Sequence, residues 1–349
     1  MVRAKPHRPP ALWDERWSTP AAAAREHQGI RIITHNIRYA ATDRDEHERP
    51  WKERCPRIVN ELLYHTRFLD GSSLTTPSHA PPSAGFICLQ ECLHTQLNDI
   101  LSALNRTSET QHSNTGLPSG PIWAHIGVGR DDGKTVGEYS PILYPTQVFE
   151  LLHFENTWLS PTPDKPSKGW DAGSIRILTT GVFAHKRTGR RLAVFNTHLD
   201  NEGTESRAKS VPIILEVIER ATKEWAVHDS LDFLLAGDFN SDPDGEAYKA
   251  LVASGSVVDV HDAVPKHARY GDEGTFTGFH AGGGRDQGIG RIDFVWVGPK
   301  NRVSAFNGLK TARDSWTIEG YSTLPNVFDD GVFCSDHRAV VADVVSWSK

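Results

Sequence analysis

The chain has 349 residues, 38% of them hydrophobic and 23% charged, and a net charge of −6 with histidine neutral. That length supplies one large core or two ordinary ones, and the composition is that of a soluble globular protein with no apolar run long enough to span a bilayer. No basic face is evident, which argues against a protein whose main task is to grip long nucleic acid; Lys186-Arg187 and Arg190-Arg191 form one short cluster, read as a solvated hairpin.

Residues 1–28 are rich in proline, alanine and charge, lack a secretory apolar core, and read as a tail or arm; residues 29–349 read as one domain. The four cysteines, Cys55, Cys88, Cys92 and Cys334, have neither zinc-ligand spacing nor the pattern of a disulfide framework. Cys88 lies in an apolar strand and is expected to be a buried free thiol. A cytoplasmic location follows as the expectation.

Taken in order, residues 29–35 (Gly-Ile-Arg-Ile-Ile-Thr-His) are β-branched and predict the first strand, ending at Asn36. Trp51, Cys55, Ile58, Val59, Leu62 and Leu63 share a helical face behind Pro50. Residues 85–89 predict a second buried strand running into Gln90-Glu91, followed by a helix with Leu93, Leu97, Ile100, Leu101 and Leu104 inward. Residues 106–120 look loop-like, 141–152 like one strand, and 175–184 with 191–197 like a hairpin ending at His198. A helix is expected over about 205–225, kinked or started late by Pro212, and another over 246–253 with Gly255 as its cap. Residues 291–297 and 339–345 predict strands, with a glycine-rich loop at 275–290 and irregular chain at 301–332. The interleaving lacks a clean βαβ rhythm and the hairpins imply antiparallel pairing, so the expected fold is α/β, with sheets face to face and helices outside.

The segment 231–240 organises the chemistry. Its apolar run is too short for an ordinary helix, reads as a buried strand, and stops at Asp238 and Asn240. In an extended chain these two project together while Phe239 turns inward; the alternative is a plain Asx turn. Five other strand ends repeat the design: Asn36, Glu91, His198, Asp293, and Asp336 with His337. A carboxylate closing a buried strand needs a compensating partner, and six such ends are best explained by convergence on one site. Oxygen ligands without cysteine suit Mg²⁺ or Mn²⁺ better than zinc, and histidines beside carboxylates suit acid–base work, a combination that matches hydrolysis at phosphorus.

The ordered motifs His-Asn-Ile-Arg (35–38), Leu-Gln-Glu-Cys (89–92), Asn-Thr-His-Leu-Asp (196–200), Gly-Asp-Phe-Asn-Ser (237–241), Arg-Ile-Asp-Phe-Val (291–295) and Ser-Asp-His-Arg (335–338) resemble those of the endonuclease/exonuclease/phosphatase superfamily, which includes deoxyribonuclease I. The resemblance implies a four-layer α/β sandwich, with two mixed β-sheets packed face to face and helices on the outer sides. It implies Asn36, Glu91 and Asp336 around a divalent metal, Asp238 with Asn240 at the attacking water, His198 and His337 at the phosphate, and Asp293 holding His337. Arg176 falls where relatives place a phosphate-binding arginine, and Tyr139 where some place a phosphate-contacting tyrosine. The loop at 129–134 with Glu138-Tyr139-Ser140, and the segment 158–171, look like those of an uncharacterised branch and are read as shaping the pocket.

The function expected from sequence is a metal-dependent phosphoesterase, with a phosphodiesterase favoured, acting on a small-molecule or nucleic-acid phosphate ester. No membrane span and no obligate protein partner are expected. A nuclease is the alternative within that class, a non-catalytic binding protein on the same fold the alternative outside it, and a hydrolase of non-phosphate esters a third.

Overall fold

The β-branched run beginning at Gly29 forms an extended backbone, as its side chains demand. In the computed structural model, residues 27–71, 82–115, 120–226, 231–280, 290–304, 306 and 316–347 are described, so the expected arm, save its last two residues, and most of the loop at 275–290 lie outside the described residues. In chain order the elements are β1 (His27–Asn36), α1 (Trp51–Thr66), β2 (Ala84–Gln90), α2 (His94–Thr115), β3 (Trp123–Ile126), β4 (Ile142–Pro145), β5 (Phe149–Trp158), β6 (Ile177–His185), β7 (Arg191–His198), α3 (Thr204–Glu224) and β8 (Asp232–Asp238). There follow α4 (Glu246–Ala253), β9 (Val258–Asp259), α5 (Val260–Ala263), β10 (Asp293–Gly298), β11 (Val303–Ser304), β12 (Trp316–Thr323) and β13 (Val340–Trp347).

The strands form a seven-stranded sheet in the order β11-β12-β13-β1-β2-β4-β3 and a six-stranded sheet in the order β5-β6-β7-β8-β10-β9. Both are mixed: β1 with β2 and β7 with β8 run parallel, while β1 with β13 and β8 with β10 run antiparallel. Side-chain alternation splits each central strand between two cores. Ile30, Ile32, Phe86 and Cys88 of one sheet meet Phe183, Val194, Leu234 and Val295 of the other. Ile33, Ile87 and Leu89 turn outward onto Ile58 and Leu62 of α1 and Leu97 and Ile100 of α2. On the opposite flank Phe195, Phe233, Leu235 and Trp296 receive Val211, Ile214 and Ile218 of α3 and Leu251 of α4. The result is the expected sandwich of helix, sheet, sheet and helix.

Three expectations need correction. Helix α2 continues through Thr115 rather than ending near residue 105, because the polar stretch from Arg106 carries no glycine or proline to stop it before Gly116. The strand expected at 141–152 is two strands in different sheets, broken after Pro145, whose missing N–H ends the ladder. The segment at 301–332 contains β11 and β12; the latter packs on β13 through a register shift at Ile318/Gly320, which obscures its alternation. Pro212, by contrast, sits inside α3, with its own side chain exposed and Val211 buried beside it.

Candidate active site

The topology sends the polar strand ends to one edge of the sandwich. Parallel pairing aligns Asn36 with Gln90, just before Glu91, and His198 with Asp238. Antiparallel pairing sets the start of β10 there as well, with Asp293 opposite Asp238. Thr34 opposite Val340 places the segment carrying Asp336 and His337 at that same edge. Gly237 is needed because a Cβ there would lie 2.0 Å from the Thr197 carbonyl oxygen; the close approach is to the neighbouring strand, not to a ligand. Just beyond the strands, Arg38, Glu91 and Asn240 have φ of 55°, 54° and 45°, a conformation disfavoured for arginine and glutamate, though asparagine tolerates it, and held by the surrounding contacts.

Asp238 is the hub. Its Oδ2 accepts from Asn36 Nδ2 at 2.9 Å, and its Oδ1 accepts from the Asn240 backbone N–H at 2.8 Å. The second bond is the Asx turn, the alternative weighed for this motif, and it aims the Asn240 amide at His198. Asn240 Nδ2 donates to the Leu199 carbonyl, which fixes the amide's orientation, and lies 3.0 Å from His198 Nε2. Nε2 is therefore an acceptor and the ring proton sits on Nδ1. Burial, then Arg176 and Arg130, hold His198 well below the usual histidine range, consistent with a neutral ring.

His337 is the opposite case. Its Nδ1 meets Asp293 Oδ2 at 2.8 Å and its Nε2 lies 3.7 Å from Asp238 Oδ2. Burial works against the charged ring, but Asp293 and Asp238 outweigh it and hold His337 well above the usual range. Burial and the facing Asp293 in turn push Asp238 up to about 7. One neutral and one protonated imidazole thus flank a carboxylate poised near neutrality, the combination acid–base chemistry needs.

The oxygen set lies beside this hub. Asn36 Nδ2 also donates to Glu91 Oε1 at 3.0 Å, linking Glu91 to Asp238. Asp336 is buried, and burial and Glu91 raise it against the pull of His337 and Arg38. Carboxylate and amide oxygens of this kind fit a hard divalent cation. Asp238, Asp293 and His337 also bring donor atoms within 4.8 Å of one another. There, however, His337 Nδ1 is already hydrogen-bonded to Asp293, so a proton relay describes that trio better than chelation.

Arg176 is 4% exposed. Its Nε donates to Asp200 and its Nη2 to Asn201, while its buried Nη1 has no hydrogen-bond partner among the described residues. Tyr139 is placed differently from expectation. Its hydroxyl donates to the Lys134 carbonyl at 2.8 Å and meets His94 Nδ1 at 3.0 Å, so its hydrogen bonds brace the loop at 129–139.

Sequence reasoning assigned no role to four residues of this edge. Glu138 Oε2 accepts from Arg130 Nη1 at 2.7 Å and lies 3.8 Å from His198 Nδ1; burial and Glu91 push Glu138 up to about 7. Their signal was the glycine-punctuated charged loop, legible only as a loop. Arg54, wholly buried on α1, donates to the carbonyls of Ile37, Arg38, Tyr39 and Cys334, tying together the two segments that carry Asn36 and Asp336. Gln90 Nε2 donates to Asn196 Oδ1 at 2.8 Å and joins the two sheets beneath the site.

Comparison with known proteins gives the family. The model of the endonuclease/exonuclease/phosphatase family matches residues 20–337. The chain belongs to this family. A family protein from Bacteroides thetaiotaomicron superposes with a TM-score of 0.70 at 28% identity, covering 92% of this chain and 99% of that one. A mannosyl-6-phosphatase from the same organism is 30% identical, with a TM-score of 0.68 over 90% of this chain and 99% of its own. An uncharacterised protein of Acanthamoeba polyphaga mimivirus is 38% identical over 88 residues, 24% of this chain and 31% of the viral one. Members of the family hydrolyse phosphate esters. No described helix is long and apolar enough to cross a membrane.

Proposed function

We propose that this protein is a divalent-metal-dependent hydrolase of small-molecule phosphate esters, acting by in-line attack of water. The observation that carries the reading is the meeting at one edge of Asp238, the Asp293–His337 pair and the Asn36, Glu91 and Asp336 oxygen set. Asp238 takes the proton of the attacking water, oriented by Asn36 and the Asn240 backbone N–H. Protonated His337, steadied by Asp293, faces the charge that develops on the phosphoryl oxygens, and His198 stands on the other side of Asp238, 3.5 Å from it through Nε2. Asn36, Glu91 and Asp336 would hold the cation, which when bound supplies Lewis-acid polarisation of a phosphoryl oxygen.

The acidic balance of the chain favours a small ester over a polynucleotide, whose binding rests on many basic phosphate contacts. The similarity to a mannosyl-6-phosphatase points the same way. The test is hydrolysis of bis(p-nitrophenyl) phosphate and p-nitrophenyl phosphate with Mg²⁺, Mn²⁺ or EDTA, for wild type and Asp238→Ala. Metal-dependent turnover abolished in the variant supports the reading. Turnover that ignores both metal and the variant sinks it.

A further inference from the structure

A groove of about 680 Å³, the size of many ligand clefts, is lined by α1 between Pro56 and His65, by Tyr270 and by the turn at 324–330. None of its lining residues belongs to the site described above. Three aromatic rings stand open in it: Tyr64 is 61% exposed, Tyr270 68% and Phe328 57%. Large apolar groups gathered around one concavity mark a surface that meets another segment or chain, because covering them removes apolar area from water. Acids supply most of the charge. Glu61 and exposed Asp330 line the groove, exposed Asp329 is next in the chain, and Arg57 pairs with Asp330. Burial holds His65 below the usual histidine range, so this side chain brings no charge at neutral pH.

An aromatic groove with acids at its rim suits a proline-rich segment flanked by basic residues. Prolines at P-x-x-P spacing preform a polyproline II helix, so little conformational entropy is lost when the rings receive them. The chain itself carries such a segment. In Arg3-Ala4-Lys5-Pro6-His7-Arg8-Pro9-Pro10 the prolines Pro6 and Pro9 have that spacing, and residues 1–13 hold Arg3, Lys5 and Arg8 and no acid. The longer internal segments outside the described residues differ: 72–81 has prolines but no lysine or arginine, and 281–289 and 307–315 have no proline.

Reach favours the same occupant. Arg31 of β1 donates to the His65 carbonyl at 2.9 Å, so the first strand passes beneath the end of α1. From Pro10 to the start of β1 at His27 the chain can span up to about 56 Å, against about 14 Å for the stretch of α1 from Pro56 to His65. We propose that the groove beside α1 is the docking site of the chain's own residues 3–10, with Pro6 and Pro9 against Tyr64, Tyr270 and Phe328 and the basic side chains toward Asp329 and Asp330. Tethering at β1 presents the segment at an effective concentration of about a millimolar, so a modest contact keeps it seated.

The test uses the full chain with photoreactive benzoylphenylalanine in place of Tyr270 or, separately, of Phe328. The protein is irradiated, its adducts are mapped by mass spectrometry, and thermal melts confirm folding. Both positions are expected to give adducts at residues 3–13 within a single chain. Changing Arg3, Lys5 and Arg8 together to Glu, or Pro6 and Pro9 together to Ala, should each cut that yield about tenfold, the first through charge and the second through loss of the preformed helix. No adduct, adducts at 72–81, adducts joining two chains, or a yield indifferent to either variant overturns the proposal.

Discussion

Two clusters in this fold share a recipe and differ in use. Asp238, Asp293 and His337 meet at the polar edge; Asp259, His261 and Asp262 meet where β9 joins α5, and each trio brings its donor atoms within 4.8 Å. In the second cluster charge is answered locally. Asp259 accepts from Arg291 at 2.7 Å and from the Tyr248 hydroxyl, Asp262 accepts from Tyr248 at 2.7 Å, and His261 lies between Asp262 and Glu273, at 2.7 Å from each. In the first, Asp293 Oδ1 is buried without a hydrogen-bond partner among the described residues, and Asp293 raises Asp238 across a ladder pair. Residue types alone do not make a site. What separates the two is whether the fold supplies enough counter-charge, and at the polar edge it does not.

The comparison can be broken by exchanging effects between the clusters. Asp238→Asn is expected to lower phosphoesterase kcat about a thousandfold while raising the melting temperature of metal-free protein, because it removes a repulsive buried charge. Asp259→Asn should do the reverse, leaving kcat within about twofold but costing about 3 kcal/mol in urea unfolding, since Arg291 keeps only the more distant Asp262, at 3.3 Å. If Asp259→Asn silences turnover while Asp238→Asn does not, the assignment of the two clusters is inverted.

Asp293→Asn should reduce kcat about a hundredfold. It should also move the alkaline limb of the pH–rate profile to lower pH, because the carboxylate that keeps His337 protonated is gone. An unmoved limb would show that His337 is not the group reported there.

Stability against pH gives a subtler measure. Asp238 and Glu138 titrate near 7 in the folded metal-free protein but near 4 when unfolded. Between these values the native state keeps protons that the unfolded chain has released. Their contribution is therefore full below about pH 4 and is lost as pH rises through about 7, at up to about 1.4 kcal/mol per pH unit for each. Chelated protein should lose this increment, and Mg²⁺ should restore it increasingly as pH rises, which melts in EDTA and in Mg²⁺ would measure. Smallest of the set, Arg54→Lys should weaken metal binding about tenfold with kcat recovered at saturating metal, because the carbonyls behind Asn36 and Asp336 lose their common tie.

The polar ends of the strands were legible because a carboxylate or histidine closing an apolar run stands out in one dimension. The left-handed turns at Arg38, Glu91 and Asn240 were not, since no glycine marks them. Arg130, Glu138 and Arg54 were hidden for a related reason. Arg130 and Glu138 sit in a charged loop, and Arg54 on an amphipathic helix, where charge is the ordinary finding. Tyr139 shows the converse: its neighbourhood in the chain was noted correctly, but the loop's own hydrogen bonds claim its hydroxyl.

By itself the sequence determined the central strands, the layered α/β architecture, the family and the list of polar groups at the strand ends, because alternation and chain order carry that information. Only the tertiary structure decided which imidazole is neutral and which is charged, which Asp/His cluster is satisfied, and which donors are left without acceptors. Those properties depend on distances between strands remote in sequence and on burial, and neither is written in local pattern.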